Sequence, residues 1–373
     1  MELLKRMLRG EMFSMSKPRF AIIGAGAGGQ SMAAILTQKG YSVKLYDNDL
    51  DRIEGLNRLK SISVTGKIEA TGFPEVVSAE IASVMEDVDS IMVVTTTDAH
   101  KDVAKRIAPY LVEGQTILLN PGHVFGALEF SQILFKECGV KKRLVIGEAS
   151  DLMYACRLPE NGKPFHPGIK KTTEVATLPA KDVGTLLEVL GEAFPNLVPM
   201  KNIFETGLEG GGAMLHPIPS FMNINKIDSN ESFDYYMEGV TPSIAKLILS
   251  ADSERLAVCN ALGLEVPSLV DSLKKTYNLS FDDLYELIQH NKPYGGVKSP
   301  SSVNHRFMVE DVTSGIVPLA SIGKQLNVET PILNAFIDIA SVISGKDFWL
   351  EGRTVDKLDM DGKTLEEIMQ MIS

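Results

Sequence analysis

The segment Phe20-Ala-Ile-Ile-Gly24-Ala-Gly26-Ala-Gly-Gly29, followed by Ser42-Val-Lys-Leu-Tyr46-Asp47, admits few folds. An apolar run ends in a glycine loop, a helical stretch follows, and a second apolar run ends in an acid. Gly24 permits a tight turn off the first strand, Gly26 lets backbone approach a pyrophosphate, and Gly29 lets the helix pack on the sheet. Gly24, Ala25, Gly26, Ala27, Gly28 and Gly29 together form the expected diphosphate cradle at the positive end of that helix. Asp47 falls 18 residues after Gly29. A carboxylate there accepts from both ribose hydroxyls of NAD and repels the extra phosphate of NADP. Arg52 lies close enough to the second strand to meet such a phosphate, so NAD is the expected cofactor and NADP stays open. The bland alternative is a glycine-rich turn with no ligand, but the strand, helix and strand ending in an acid argue against it.

The chain of 373 residues has room for two domains with separate cores. A net charge of −11 argues against a nucleic-acid surface, which needs a concentrated excess of Lys and Arg. No uncharged stretch reaches the roughly 18 residues needed to cross a bilayer. Cys138, Cys156 and Cys259 are odd in number and scattered, which suits a reducing cytoplasm and leaves no metal-ligand spacing. In the first fourteen residues Leu3, Leu4, Met7 and Leu8 alternate with Lys5, Arg6 and Arg9. No uninterrupted apolar core is present there, so a signal peptide is not expected. Met12 or Met15 is the expected functional start, with the fold beginning at Arg19.

Alternating strand and helix signals in the first half predict an α/β Rossmann domain, a doubly wound and mostly parallel sheet. Strands are expected at Ser61–Thr65, Ser90–Thr95, Thr116–Asn120, Leu144–Gly147, Glu174–Leu178 and Leu197–Pro199, read as buried parallel strands. Helices are expected at Ala99–Leu111 and Gly126–Cys138. Ligands of such sheets bind beyond the carboxyl ends of the strands, which places Thr95 to Thr97 and Asn120-Pro121-Gly122 beside the cofactor. Thr95 and Asn120 also read as ordinary turn formers or helix caps. After Thr206 the strand signal fades and an all-α C-terminal domain follows. Thr241-Pro242 predicts a capped helix to Leu262, closed by Gly263, and Thr330-Pro331 predicts another to Ile343, ended by Gly345. The change of period divides the chain into an extension (1–18), a nucleotide-binding domain (19–205) and a helical substrate domain (206–373).

Reaction type must come from a site in the helical half. Gly210-Gly-Gly-Ala-Met-Leu-His216-Pro217-Ile-Pro219 places an imidazole in a small-residue stretch at the expected domain junction. Asn304-His305-Arg306-Phe-Met-Val-Glu310-Asp311-Val312 places Arg306 and Asp311 five apart. Carbonyl or imine reduction by a nicotinamide calls for an acid near neutral pKa, which suits His216. A carboxylate on its far nitrogen, such as Asp311, fixes the tautomer, and Arg306 offers a planar fork to a substrate carboxylate. Blander readings stand beside these. His216 also reads as a satisfied structural residue, Glu310-Asp311 as a helix N-terminus and Arg306 as a surface charge. His100 is the second-choice acid, His123 sits in a glycine loop, and His166, His290 and His305 read as loop or helix-end residues.

The GAGAGG fingerprint, LLNPG at Leu118 to Gly122, MLHPIP at Met214 to Pro219, and RFMVEDV with SGIVPL between Arg306 and Leu319 resemble the octopine/nopaline (opine) dehydrogenase family. The similarity runs from Arg19 onward and includes Gly147-Glu148 and Tyr235-Tyr236-Met-Glu-Gly-Val-Thr-Pro242. The resemblance implies a homodimer that condenses an amino acid's α-amine with a 2-oxo acid and reduces the imine with NADH. It also implies His216 as catalytic acid and base, Asp311 as its partner and Arg306 as the carboxylate-binding residue. One position departs: the family pattern carries an asparagine four residues before the histidine, where this chain has Gly212. Ketopantoate reductases and glycerol-3-phosphate dehydrogenases are alternatives, but they place a lysine where the helical domain begins. Lys201 and Lys226 are the nearest here, and neither sits in that pattern. A non-catalytic NAD-binding protein is the remaining alternative.

Overall fold

A computed structural model describes residues 17–209 and 211–373. The amphipathic N-terminal segment and the alternative starts at Met12 and Met15 lie outside the described residues, as does Gly210. The strands are β1 (Phe20–Ile23), β2 (Val43–Tyr46), β3 (Ile62–Gly66), β4 (Ala70–Gly72), β5 (Val76–Ser78), β6 (Ser90–Val93), β7 (Thr116–Leu119), β8 (Val145–Ala149), β9 (Arg157–Glu160), β10 (Lys163–His166), β11 (Thr173–Leu178) and β12 (Leu197–Pro199). Eight of them form one sheet in the order β12-β11-β8-β7-β6-β1-β2-β5. From β5 to β8 every pairing is parallel. Strands β1, β6, β7 and β8 are buried along their whole length, as strands covered on both faces must be. The strand order reverses at β1, between β2 and β6, and that crevice is where such sheets hold ligands.

Three strand expectations need correction. Leu197–Pro199 pairs parallel with β11, as expected, but it is the sheet's edge strand and is not buried. The Ser61–Thr65 run becomes β3, but in a separate sheet of order β4-β3-β10-β9, not as a buried parallel strand of the main sheet. Only Ile62 and Val64 are buried there, the period-2 pattern of a sheet covered on one face. That small sheet lies on the fingerprint helix Ala27–Gln38, so closely that a Cβ at Gly72 would come 2.7 Å from the Ala34 carbonyl oxygen. The Glu174–Leu178 run pairs antiparallel with β8, because the chain between them returns to the same edge instead of crossing over the sheet.

Helix Gly126–Gln132 continues as a π-turn over Ile133–Glu137, and the expected Ala99–Leu111 helix is α only over His100–Ile107. Pro109 lies in the 3-10 turn that ends the latter. Beyond β12 the described residues are helical, with Asp234–Lys298 as an isolated β-bridge. Thr241 caps Pro242–Ala261 by accepting from the Ile244 amide at 3.3 Å, and Gly345 closes Pro331–Ser344 with a φ of +65°. Thr330 does not cap that second helix. Glu254 does, accepting from the amides of Ile332 and Leu333 at 2.8 and 2.9 Å. Among the described residues no helix is long and apolar enough to cross a membrane.

Candidate active site

The glycine loop has the shape a dinucleotide requires. Gly24 sits at φ +108°, and a Cβ there would lie 2.4 Å from the Val94 carbonyl oxygen, so only glycine lets β1 end this close to β6. A Cβ at Gly29 would fall 1.8 Å from the Gly24 carbonyl oxygen, which is how closely the helix enters against the turn. Gly26 has nothing within 4 Å of its Cβ position. The helix it opens carries no side-chain cap, which leaves first-turn amides to a ligand. Thr95 Oγ1 and Asn120 Nδ2, at the ends of β6 and β7, are buried without hydrogen-bond partners. Open amides and an approachable loop at the switch point, with orphaned polar groups at the ends of β6 and β7, fit a nicotinamide dinucleotide.

Ala25 does not join that cradle through its amide, which donates to Asp47 Oδ2 at 2.6 Å. Asp47 Oδ1 accepts from the Asp49 amide at 3.0 Å, so the acid ties the loop to the end of β2. Arg52 Nη1 lies 3.0 Å from Asp47 Oδ2 and its Nη2 3.2 Å from Asp49 Oδ2. The acid and the base that bear on NAD against NADP therefore occupy one spot.

His216 stands where helix Gly212–Leu215 ends and Pro217 opens Pro217–Met222. Pro217 brings no amide, so it suits the first turn of a new helix. The His216 carbonyl accepts from Ser220 Oγ at 2.8 Å and from the fully buried Tyr235 hydroxyl. The imidazole stacks on Phe307 with ring centroids 4.3 Å apart and planes 6° apart. Its Nδ1 lies 3.0 Å from Asp311 Oδ2. An ionised carboxylate only accepts, so this contact puts the proton on Nδ1 and leaves Nε2 for chemistry. Burial alone would raise the Asp311 carboxyl, but His216 beside it, with His123 and Arg306 farther off, holds it below the usual range.

Asp311 ends helix Arg306–Asp311, and a π-turn over Val312–Ile316 joins it to Val317–Gln325. The cause lies in Pro318, which has no amide to give the Ser314 carbonyl. Val124 donates to that carbonyl at 3.1 Å and Arg353 to the Thr313 carbonyl at 3.1 Å. Gly315 lets the turn touch the histidine segment, since a Cβ there would meet Ala213 Cβ at 2.6 Å. Glu310-Asp311 thus closes a helix and does not serve its N-terminus. Arg306 is 58% exposed, lies over the Phe307 ring at 5.2 Å, and has Nη1 3.6 Å from Glu310 Oε2.

His100 is not placed as an acid. It is 1% exposed, packs edge-on to Phe130, has no partner on either nitrogen, and burial drives its pKa well below the ordinary value. His166 is a buried strand residue, not a loop residue, bonded to Ser31 Oγ at 2.8 Å. His305 caps the Arg306–Asp311 helix, His290 follows Leu284–Gln289, and His123 Nε2 lies 3.9 Å from Glu310 Oε1. Lys201 pairs with Glu205, and Lys226 lies over Phe233.

Sequence reasoning missed Arg353. Its Nη1 donates to the carbonyls of Gly122 and Val124 at 2.9 and 3.0 Å, and its Nε to Glu129 at 2.8 Å. Nothing near Arg353 in the sequence announces partners more than two hundred residues away. Glu148, at the end of β8, accepts from the Ala127 amide at 2.7 Å and the Thr206 hydroxyl at 2.8 Å. Burial pushes its carboxyl up to about 7 against the pull of those donors and Arg353.

A switch-point dinucleotide cradle in one half and a histidine–aspartate pair in the helical half, which reaches the end of β6 through Glu310 and Thr97, together define a nicotinamide-dependent oxidoreductase. Residues 199–344 match the family described as NAD/NADP octopine/nopaline dehydrogenase, alpha-helical domain, and residues 20–120 match ketopantoate reductase PanE/ApbA. The chain is 37% identical over 354 residues to opine dehydrogenase of Arthrobacter sp. (strain 1C), covering 95% of this chain and 98% of that protein. It therefore belongs to the octopine/nopaline (opine) dehydrogenase family. The fold is similar to that of octopine dehydrogenase in complex with NADH and agmatine, with a TM-score of 0.78, 19% identity, and 95% of this chain and 98% of that chain covered. It is also similar to NADP+-bound yersinopine dehydrogenase, with a TM-score of 0.74, 15% identity, and the same 95% and 98% covered. The ketopantoate reductase family model matches only residues 20–120, whereas the octopine/nopaline dehydrogenase model covers residues 199–344 of the helical half.

Proposed function

We propose that this opine dehydrogenase condenses the α-amine of an amino acid with a 2-oxo acid such as pyruvate, reduces the imine, and runs the reverse oxidation, with His216, Asp311 and Arg306 as its working residues. Condensation releases water, and the reduction adds one hydride to carbon and one proton to nitrogen. The bound dinucleotide supplies the hydride. His216 gives the proton from Nε2 in reduction and takes it back in oxidation. Asp311 keeps the ring in the required tautomer and stabilises its charged form. Arg306, exposed and with one guanidinium nitrogen near Glu310, offers its other edge to a substrate carboxylate. Thr95 and Asn120 contribute polar groups for the nicotinamide half, and the glycine loop holds the diphosphate. Asp47 sides with NAD and Arg52 with NADP.

The observation that carries this reading is the 3.0 Å contact between His216 and Asp311 in a chain of this family. The assay is NADH oxidation over amino acids paired with pyruvate and other 2-oxo acids, with His216→Ala beside the parent. A catalytic acid loses turnover by about a hundredfold or more while NADH affinity stays. Unchanged turnover in that variant would remove the mechanism, and reduction of a lone oxo acid in place of any pair would favour a carbonyl reductase. A homodimer and a cytoplasmic location complete the proposal. Free Cys138, Cys156 and Cys259 are consistent with the location, and light scattering on the purified chain tests the dimer.

A further inference from the structure

Glu310 is 3% exposed, and carboxylates are rarely that buried without partners. Its Oε1 accepts from the Thr97 amide at 2.8 Å, just beyond the end of β6. Its Oε2 lies 3.6 Å from Arg306 Nη1 in the helical half. A second link runs in parallel: the Thr97 hydroxyl bonds to Ser314 Oγ, and Ser314 Oγ donates to the Glu310 carbonyl at 2.9 Å. An ordinary helix-surface pair does not explain this. Arginine preceding glutamate by four is the weaker order on a helix, and a surface pair leaves its acid in water.

From these contacts we infer that Glu310 is a positioning residue that fixes Arg306 and the Arg306–Asp311 helix relative to the nicotinamide end of β6. One oxygen holds the strand end and the other steadies the guanidinium that receives the substrate carboxylate. The 3.6 Å approach through a single nitrogen leaves the rest of the Arg306 fork free for that carboxylate. A shift of β6 is thereby passed to the helix that also carries Asp311, and so to the ring of His216.

The inference rests on the proposed function for the role of Arg306, while the tether to Thr97 is read without any substrate. Glu310→Gln keeps an acceptor for the Thr97 amide and removes the charge beside Arg306. It should raise the KM for the 2-oxo acid about tenfold, with kcat and the NADH dissociation constant changed less than about threefold. Glu310→Ala removes both contacts, so kcat should fall as well and hydrogen exchange at the Thr97 amide should quicken by about tenfold or more. Glu310→Asp, one methylene short of spanning both partners, should show the same pattern in milder form if the alanine variant does not fold. Unaltered Thr97 exchange in the alanine or aspartate variant overturns the tether whatever the activity. A parent-like oxo-acid KM in Glu310→Gln overturns the positioning of Arg306. Failure of the parent to turn over any amine and oxo-acid pair would instead count against the proposed reaction, and the exchange measurement would still decide the tether.

Discussion

The imidazole Nδ1 of His216 lies 3.0 Å from Oδ2 of Asp311, a residue 95 positions later in the chain. Phe307 stacks on one face of the same ring, so the imidazole is held both by an acceptor in its plane and by a flat surface beneath it. The carboxylate also brings its ionisation into the fold's stability.

Asp311→Asn should keep the fold and lose turnover by about a hundredfold or more, because an amide offers a donor as readily as an acceptor and no longer enforces the tautomer. NADH affinity, measured by fluorescence quenching, should be unchanged. The Asp311 pKa is lowered in the folded state. Its contribution to stability is therefore present above the unfolded value of about 4 and lost as pH falls through the lower folded value. Acid unfolding of the variant should lose that part of its slope, and parent-like turnover would rule Asp311 out as the orienting group.

Arg52→Ala should raise the ratio of kcat/KM for NADH over NADPH by about tenfold. The guanidinium now bridges Asp47 and Asp49, at the end of β2 where a ribose phosphate is expected. Without it two acids face that phosphate unopposed. Steady-state kinetics with both cofactors checks this, and an unchanged ratio would mean that Arg52 serves only to neutralise the acids.

Glu148 should make the protein less stable as pH rises. Its folded pKa is raised from 4.5 to about 7. The folded state then holds the proton more tightly than the unfolded chain, stability is greatest below the unfolded value, and it falls between about 4.5 and about 7. The full effect is at most about 3 kcal/mol. Glu148→Gln still accepts from the Ala127 amide, and the Thr206 hydroxyl can turn to accept from its amide. Thermal melts at pH 5 and pH 8 should show a smaller difference in the variant than in the parent. An equal difference would place the titration elsewhere.

Two glycines should respond in opposite ways. Gly29→Ala puts a carbon 1.8 Å from a backbone oxygen, so the helix must part from β1, with a loss of about 3 kcal/mol or more and of NADH binding. Gly212→Asn finds nothing within 4 Å of its Cβ and lies one helical turn before His216. Melting temperature should hold in that variant while the KM for the amine substrate moves. An unmoved KM would show that position 212 does not face the substrate.

Much of the nucleotide-binding half was legible because its signals are local. Gly24 reports a left-handed backbone turn and Gly29 a close helix-to-turn approach that leaves no room for a Cβ, and the β6, β7 and β8 runs report strands buried on both faces. Thr241-Pro242 marked a helix start because cap and proline act within one turn. Thr330-Pro331 marked the right place for the wrong reason, since the acceptor comes from Glu254 on another helix. The β3 run is less legible because its apolar residues alternate with polar ones, a pattern that suits a sheet covered on one face and not a central strand of the main sheet.

His216, Arg306 and Asp311 could be singled out as residue types suited to a reduction, and family resemblance gave them roles. Their meeting could not be read from spacing. The sequence by itself determined the glycine cradle, the buried strands and the break at Pro318, because each follows from what one residue or one turn allows. Only the tertiary structure decided that the π-turn after Asp311 meets Val124 and Arg353, that Asp47 takes the Ala25 amide and that Glu310 reaches Thr97. Those contacts join segments far apart in the chain, and their geometry exists only after the two halves have packed and every buried polar group has found its partner.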